Sequence, residues 1–236
     1  MPNSSRIRSP RLAWLFDIDG TLLVTEGASR EAFALALAER YGIRDDLKDI
    51  RFDGRTEPLI VGDVLAKHGL EFQDGDEARF WHSVFGHMRQ LLVAPRGRLL
   101  PGAAELLYRV AAEPEWVMGL LTGNMTEMAH IKLTRFGLEN HFAFGSFGEQ
   151  APDRNLLARA AVEHVGREYG LSPERCVVIG DTEHDVACAR YAGARVAAVA
   201  TGTRTRAELE ALNPDLVLDG LGHAEALIHW ARGLEA

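Results

Sequence analysis

Several features that define other protein classes are scarce or missing in this sequence of 236 residues. Its two cysteines, Cys176 and Cys188, lie in no CxxC pair, so we interpret them as buried thiols in a protein of a reducing compartment. The nine histidines show no HExxH or similar metal-ligand spacing. No apolar run approaches the roughly 18 residues of a membrane span, and the start of the chain lacks the apolar stretch of a signal peptide. We therefore expect a cytoplasmic protein without a membrane partner.

Positive charge is also scarce. The chain has 26 lysines and arginines against 34 aspartates and glutamates, which gives a net charge of −8 at pH 7. No basic stripe interrupts this balance, so nucleic acid and anionic membranes are disfavoured as main partners. The local cluster of Arg6, Arg8 and Arg11 lies in a segment with serine and proline that we expect to be a loose tail.

What the sequence does contain is a series of short apolar runs that end at polar residues or glycine. The predicted strands are Leu12–Phe16, Trp116–Leu121, Phe142–Phe147, Cys176–Ile179 and Val196–Ala200, with a short edge strand at Leu216–Leu218. Helical patterns at 103–112, 127–136, 155–169 and 185–191 separate them. Near-continuous apolar strands that alternate with helices predict an α/β fold, with a Rossmann-like parallel sheet covered on both faces.

A long gap separates the first two predicted strands, although a crossover needs only about a dozen residues. The gap has helical stretches of its own, at 29–40, 58–68 and 76–92. We interpret it as a small helical cap domain, residues 25–98, inserted into a core domain of residues 1–24 and 99–236. The hinges would lie at Val24–Gly27 and Pro95–Gly102, which are rich in turn-forming residues.

Two carboxylates, Asp17 and Asp19, follow directly on the first predicted strand. Side chains at positions i and i+2 of an extended chain point the same way, so both carboxylates would crowd one spot. Like charges repel there unless a cation is present. The local pattern therefore predicts a metal-assisted reaction centre.

Polar side chains also follow the other predicted strands. The second strand ends in Thr122-Gly123-Asn124, and the fourth ends at Asp181, with Asp185 four residues later. The segment after the third strand supplies Arg154. Ligands of open α/β sheets bind at the carboxyl ends of the strands, so we expect these side chains to meet at one edge of the sheet.

This ordered set resembles the signature of the haloacid dehalogenase superfamily. The matching motifs are Asp17-x-Asp19-Gly20-Thr21-Leu22, Thr122-Gly123-Asn124 and Gly180-Asp181-Thr182-Glu183-His184-Asp185. The inserted segment resembles the helical type-one cap of that family, and the resemblance covers nearly the whole chain. The family's third motif is usually a lysine. Here Arg154 stands in the corresponding place, while the competing candidate, Lys132, comes too early in the order.

The resemblance implies a magnesium-dependent phosphatase, similar to phosphoglycolate phosphatases, that hydrolyses a small phosphomonoester. Asp17 would be the nucleophile that forms an aspartyl-phosphate, and Asp19 would act first as general acid and then as general base. Mg²⁺ would be held by the Asp17 carboxylate, the backbone carbonyl of Asp19 and the Asp181 carboxylate. Asp185 would be a further acidic ligand, or would fix the metal or the residue next to it.

The same resemblance implies the groups that hold the substrate. Thr122, Gly123 and Asn124 would bind the phosphate, and Arg154 would balance its developing negative charge. An arginine can contact an anion through two nitrogens and stays charged at any working pH. Arg55, in a segment that resembles the substrate-facing loop of the cap, would contact an anionic group. We expect a monomer or a homodimer.

Other chemistries of the same scaffold stay open or are disfavoured. Family members that cleave carbon–halogen bonds lack an acid two residues after the nucleophile, because a halide needs no proton. Phosphonate-cleaving members use a cap lysine, and neither Lys48 nor Lys67 has a recognisable context. A phosphosugar mutase remains an alternative to the phosphatase. A catalytically silent binding protein is disfavoured because no catalytic position is missing.

Overall fold

A six-stranded parallel sheet forms the centre of the fold. The structure is a computed structural model that describes residues 10–235, so the predicted tail residues Arg6 and Arg8 lie outside the described part. The strands of the sheet are β1 (Leu12–Phe16), β4 (Trp116–Leu121), β5 (Phe144–Ser146), β6 (Cys176–Gly180), β7 (Arg195–Val199) and β8 (Leu216–Leu218). Two further strands, β2 (Leu23–Val24) and β3 (Arg98–Leu99), form a separate antiparallel pair.

Helices cover both faces of the sheet and fill the insertion between β2 and β3. Within residues 10–235 they are α1 (Ala28–Tyr41), α2 (Glu57–Lys67), α3 (Asp76–Leu91), α4 (Ala103–Ala111), α5 (Thr126–Arg135), α6 (Arg154–Tyr169), α7 (Glu183–Tyr191), α8 (Arg206–Glu210) and α9 (Ala224–Gly233). In the part of the chain that the structure describes, none of them is long and apolar enough to cross a membrane.

The strand order β5-β4-β1-β6-β7-β8 places β1 in the middle of the sheet. Every pairing in this sheet is parallel, so the strands all end at one edge. Side chains of β1 alternate between two cores: Trp14 and Phe16 pack in the cluster under α4 and α9, whereas Leu15 packs in the cluster under α6 and α7. The predicted α/β fold with a Rossmann-like parallel sheet is confirmed.

The inserted helices α1, α2 and α3 share a core of their own. Phe33, Phe80 and Trp81 are buried in it, and their rings meet edge to face. The same cluster includes Met128 and Ile131 of α5, so the insertion rests on a helix of the sheet layer. The division into a 25–98 cap and a surrounding core stays a prediction.

Two predicted elements differ from the observed ones by two residues at one end, whereas the others agree to within one residue at each end. The third strand is shorter than the predicted 142–147 because only Phe144–Ser146 pairs with β4. Helix α7 begins at Glu183 and not at Asp185, because the Asp185 carboxylate accepts the backbone N–H of Thr182 at 2.9 Å and so caps the first turn. Cys176 and Cys188 are free and buried, as predicted.

Candidate active site

Asp17 and Asp19 lie where β1 ends, in the middle of the carboxyl edge of the sheet. Asp17 is buried, and its backbone N–H donates to the carbonyl of Ile179 in β6 at 3.0 Å. The chain then turns sharply at Gly20, which has a φ of 78°. A Cβ at Gly20 would lie 2.4 Å from Oδ2 of Asp181, so the turn and the close approach both require glycine. The turn thereby brings the β1 motif against the end of β6.

Three buried carboxylates meet at this point. Oxygens of Asp17, Asp181 and Asp185 all lie within 4.8 Å of one another. Burial raises the pKa of Asp17 to about 6, an effect that Arg154 reduces and that the nearby Asp185 and Asp19 increase. Burial, followed by repulsion from Asp185 and Asp17, raises the pKa of Asp181 well above its ordinary value. The ionised form of the cluster is therefore disfavoured in the protein alone, because the single guanidinium of Arg154 does not compensate three buried carboxylates.

Arg154 is the cation that approaches this cluster most directly. Its guanidinium contacts Asp185 and lies 3.3 Å from Oδ1 of Asp17. Burial alone would lower the pKa of Arg154, but Asp185 and Asp17 raise it well above its ordinary value. The arginine begins α6, where the Asp153 side chain accepts the N–H of Leu156 and caps the helix.

Asp185 uses both of its oxygens on protein groups. Oδ2 accepts from the backbone and the hydroxyl of Thr182, at 2.9 and 2.7 Å, and Oδ1 contacts Arg154. Asp181 differs: it accepts a hydrogen bond from Thr21 at 3.2 Å and forms no ion pair with any residue of the 10–235 range. The contacts of Asp185 therefore hold Arg154 in place, whereas the carboxylate of Asp181 is available to bind a cation.

The oxygen donors at this edge fit a magnesium ion. Mg²⁺ prefers hard oxygen ligands, with one or two carboxylates and several waters. Asp17 and Asp181 supply such carboxylates, and two buried carboxylates with incomplete compensation are costly in a folded protein. A divalent cation between them would remove that cost.

Asp19 belongs to a second cluster, on the side of the site that faces α5. Its Oδ2 accepts from Lys132 Nζ at 2.6 Å and from Asn124 Nδ2 at 2.8 Å. Lys132 Nζ also donates to Asn124 Oδ1 at 2.5 Å, and Asn124 Nδ2 lies 2.7 Å from Oγ1 of Thr122. Thr122, Asn124 and Lys132 are all buried, so the four side chains form one connected polar network.

The loop before α2 closes over this network. The backbone N–H of Glu57 donates to the carbonyl of Gly123 at 2.8 Å, and the Glu57 carboxylate accepts from the N–H of Met125 at 2.8 Å. A Cβ at Gly123 would lie 2.1 Å from the carbonyl oxygen of Arg55, so the loop packs directly on the glycine backbone. Arg55 itself pairs with Asp63 in this arrangement.

A cavity of about 460 Å³ lies between the sheet edge and the inserted helices. Of the predicted site residues, the structure places Asp17, Asp19, Arg55, Thr122, Gly123, Asn124, Arg154 and Asp181 around it. Asp185 is fully buried and lies behind Arg154, away from the cavity wall. Lys132, the competing candidate for the third motif, also lines the cavity. It forms an ion pair with Asp19, whereas Arg154 forms one with Asp17.

Two residues of the site were not assigned there from the sequence: Glu57 was not singled out, and Lys132 was considered only for the third motif and set aside. Glu57 is buried at the loop contact, although its sequence context is that of an ordinary first-turn acid in a helix. Lys132 looked like a displaced member of the third motif, and its contact with Asp19 joins residues 113 positions apart. A lysine four residues after the buried Met128, on one face of α5, was the available signal.

Glu57 gives the fold a pH dependence that can be measured. Burial raises its pKa to about 7 from an ordinary 4.5, despite the opposing charge of Lys132. When the pKa of a carboxyl is higher in the folded than in the unfolded state, the fold loses stability as pH rises from the lower pKa to the higher one. The reason is that the charged form is disfavoured in the protein interior. Glutamine does not ionise, so the free energy of unfolding of Glu57→Gln, measured relative to that of the wild type, should rise by about 2 kcal/mol from about pH 5 to about pH 8.

Urea denaturation at the two pH values measures this gain. The exposed Glu71 provides the matched control, and Glu71→Gln should track the wild type at both pH values. A Glu57→Gln difference that does not change with pH would contradict the account.

Comparison with known proteins gives a consistent result. A sequence profile of haloacid dehalogenase-like hydrolases matches residues 13–193. A phosphoglycolate phosphatase of Cereibacter sphaeroides is 31% identical over 196 residues, which are 80% of this chain and 85% of that protein. A 5′-nucleotidase of Pseudomonas aeruginosa is 29% identical over 212 residues, which are 88% of this chain and 90% of that protein.

Solved structures agree on the fold. The crystal structure of a predicted phosphoglycolate phosphatase from Haemophilus somnus superposes with a TM-score of 0.73, at 20% identity, over 93% of this chain and 98% of that one. The resemblance inferred from the ordered motifs is therefore confirmed. The chain belongs to the haloacid dehalogenase-like hydrolase family, and its similarities lie with the phosphatases of that family.

Proposed function

We propose that this enzyme is a magnesium-dependent phosphatase that hydrolyses small phosphomonoesters through an aspartyl-phosphate. The observation that carries the proposal is that the two carboxylates after β1 lie in different surroundings. Asp17 is buried against Arg154 within the acidic cluster, whereas Asp19 is 41% exposed and held by Lys132 and Asn124. Two carboxylates in different environments can perform different tasks, one as nucleophile and one as acid and base.

The first half of the proposed reaction transfers the phosphoryl group to the protein. A carboxylate oxygen of Asp17 attacks the phosphorus, and the bond from phosphorus to the ester oxygen breaks. Asp19 gives its proton to the departing alkoxide, which leaves as an alcohol. Arg154, 3.3 Å from Asp17, lies where it can balance the negative charge of the phosphoryl oxygens. Its buried Nε has no acceptor among residues 10–235, so a phosphate oxygen can supply one.

The second half regenerates the enzyme. Asp19, now a carboxylate, takes a proton from a water molecule, and the resulting nucleophile attacks the phosphorus. The bond between phosphorus and the Asp17 oxygen breaks, which releases inorganic phosphate and restores both side chains.

Magnesium would be held by Asp17, Asp181 and the backbone carbonyl of Asp19. When bound, it offsets the repulsion between the nucleophile and the anionic phosphate. The contacts of Asp185 with Arg154 and Thr182 suit it to fixing that arginine in place.

The turn after β4 suits phosphate binding. Oγ1 of Thr122 already accepts a hydrogen bond from Asn124 Nδ2 at 2.7 Å, so its own hydroxyl proton is free to be donated to a phosphate oxygen. The side chain of Asn124 is committed to Thr122, Asp19 and Lys132. Its contribution to the substrate is therefore to orient the turn.

Arg55 is the proposed contact of the inserted loop with an anionic part of the substrate. It lines the cavity, and its present partner Asp63 is half exposed, so a substrate anion can compete for it. We expect Arg55→Ala to raise KM for anionic substrates about tenfold with a small change in kcat, because a charged hydrogen bond contributes about 1.5 kcal/mol. Steady-state kinetics measure this; Asp74→Asn, at an exposed position of the insertion, is the control. An unchanged KM for every accepted anionic substrate would exclude the role.

A panel of phosphorylated metabolites with magnesium tests the function. The proposal predicts release of inorganic phosphate from phosphoglycolate, a sugar phosphate or a nucleoside monophosphate. Product analysis with a hexose 1-phosphate separates the phosphatase from a phosphosugar mutase. An isomeric hexose phosphate without free phosphate would replace the proposal by the mutase.

A further inference from the structure

Lys132 has no task in the reaction described so far, although its position is costly. Its side chain is only 2% exposed, and a buried ammonium must be paired to be tolerated. Arg154 already accompanies the nucleophile and the acidic cluster. The lysine lies on the other side of the site, and the ion pair that it forms there is with Asp19.

The contacts of Lys132 form a closed triangle. Nζ lies 2.6 Å from Oδ2 of Asp19 and 2.5 Å from Oδ1 of Asn124, while Nδ2 of Asn124 lies 2.8 Å from the same Oδ2. Two donors on one oxygen fix both the position and the rotation of a carboxyl group. Among residues 10–235, Oδ1 of Asp19 receives no hydrogen bond, and Asp19 lines the cavity. Oδ1 is thus the oxygen that remains for the substrate.

We propose that Lys132, together with Asn124, is a positioning residue that holds Oδ2 of Asp19 and thereby directs Oδ1 at the leaving oxygen of the substrate. This inference rests on the proposed phosphatase function. It assigns the two buried cations of the site to different carboxylates, with Arg154 on Asp17 and Lys132 on Asp19. It also gives Lys132 a role different from that of the third motif, for which the sequence had offered both Lys132 and Arg154.

The position of Lys132 on α5 supports this division of tasks. The turn Thr122–Asn124 leads into α5, and Lys132 lies two turns into that helix, in contact with the turn's own Asn124. The triangle therefore ties the phosphate-binding turn to the acid. The Glu57 carboxylate of the closing loop accepts the N–H of Met125, the residue after Asn124, so the loop over the cavity is held next to the triangle.

A comparison of leaving groups tests the proposal. Phosphoglycolate releases an alkoxide that needs a proton, whereas 4-nitrophenyl phosphate releases a phenolate that does not. If Lys132 positions the acid, Lys132→Met lowers kcat/KM for phosphoglycolate by about 10²-fold, and the loss with 4-nitrophenyl phosphate is about tenfold smaller. The ratio kcat/KM reports the phosphorylation step alone, and the affinity for inorganic phosphate should stay unchanged.

Double substitution gives an independent readout. Lys132→Met combined with Asp19→Asn should lose no more phosphoglycolate activity than Asp19→Asn alone, because the lysine acts through the acid. Lys132→Arg keeps the charge and should recover part of the lost activity. Equal losses with both esters, multiplicative losses in the double variant, or a weaker affinity for phosphate would each overturn the proposal.

A second variant covers the case in which Lys132→Met does not fold. Lys132→Gln keeps a polar group in the buried network, but its side chain is uncharged and one bond shorter, and thermal unfolding checks its fold. It should show the same selective loss with phosphoglycolate, and a loss that is equal for both esters would overturn the proposal. If phosphoglycolate is not hydrolysed, the alkyl phosphate of the panel with the highest kcat/KM takes its place in these comparisons. If the wild type releases phosphate from no ester of the panel, the proposed function fails, and that outcome is distinct from an unselective loss.

Discussion

Substitution of Asp17 by asparagine should reduce the rate of phosphate release by at least about 10³-fold. An asparagine amide has the shape of the carboxylate but is a poor nucleophile, so it does not form the covalent phosphoryl intermediate. The change also removes one of the two acidic contacts of Arg154. A steady-state assay of phosphate release with magnesium measures the effect.

The control for Asp17→Asn must show that only chemistry is lost. Thermal unfolding should show that the variant is folded, and Asp74→Asn, an exposed substitution in the insertion, should keep wild-type activity. Equal activity of Asp17→Asn and the wild type would exclude Asp17 as the nucleophile. The site would then need another group to receive the phosphoryl.

Removal of the divalent cation should have a comparable effect. A chelator is expected to abolish phosphate release, and added Mg²⁺ should restore it, because the nucleophile and the substrate are both anionic. Asp181 forms no ion pair within the described residues, and its pKa is raised by burial and by its acidic neighbours. Asp181→Asn should therefore increase the Mg²⁺ concentration for half-maximal activity by at least about tenfold.

A measurement without turnover checks the same site. A ligand that binds only the folded state raises the midpoint of thermal unfolding, so millimolar Mg²⁺ should stabilise the wild type. Asp181→Asn should lose most of that shift, whereas Asp74→Asn should keep it. A chelator-insensitive activity, or an Asp181→Asn variant with wild-type magnesium dependence, would contradict the assignment.

The sheet and its polar edge were predictable because their causes are local in sequence. Strand β1 is an uninterrupted apolar run, and its five residues are buried as such a run requires in a parallel sheet. Polar residues directly after β1, β4 and β6 then meet, because parallel strands end at one edge. The order of the motifs supplied the family, which the comparisons confirm.

The network around Asp19 was not predictable, since it depends on contacts between distant segments. Lys132 reaches Asp19 across 113 positions, and Glu57 reaches Met125 across 68. Neither pairing leaves a periodic pattern in the chain. Asp185 illustrates the same limit. The family resemblance implied a metal ligand or a group that fixes the metal or a neighbouring residue, and the contact of Asp185 with Arg154 joins residues 31 positions apart. Whether it also contacts the metal stays a prediction.

The covalent intermediate is the central claim, and rapid quenching tests it most directly. The enzyme is mixed with magnesium and a substrate labelled in its phosphoryl group, stopped in acid during turnover, and digested into peptides. We expect label on the peptide that contains Asp17, released by hydroxylamine as expected of an acyl phosphate, and no label in Asp17→Asn. Label on another residue, or turnover by the wild type without any labelled protein, would contradict it.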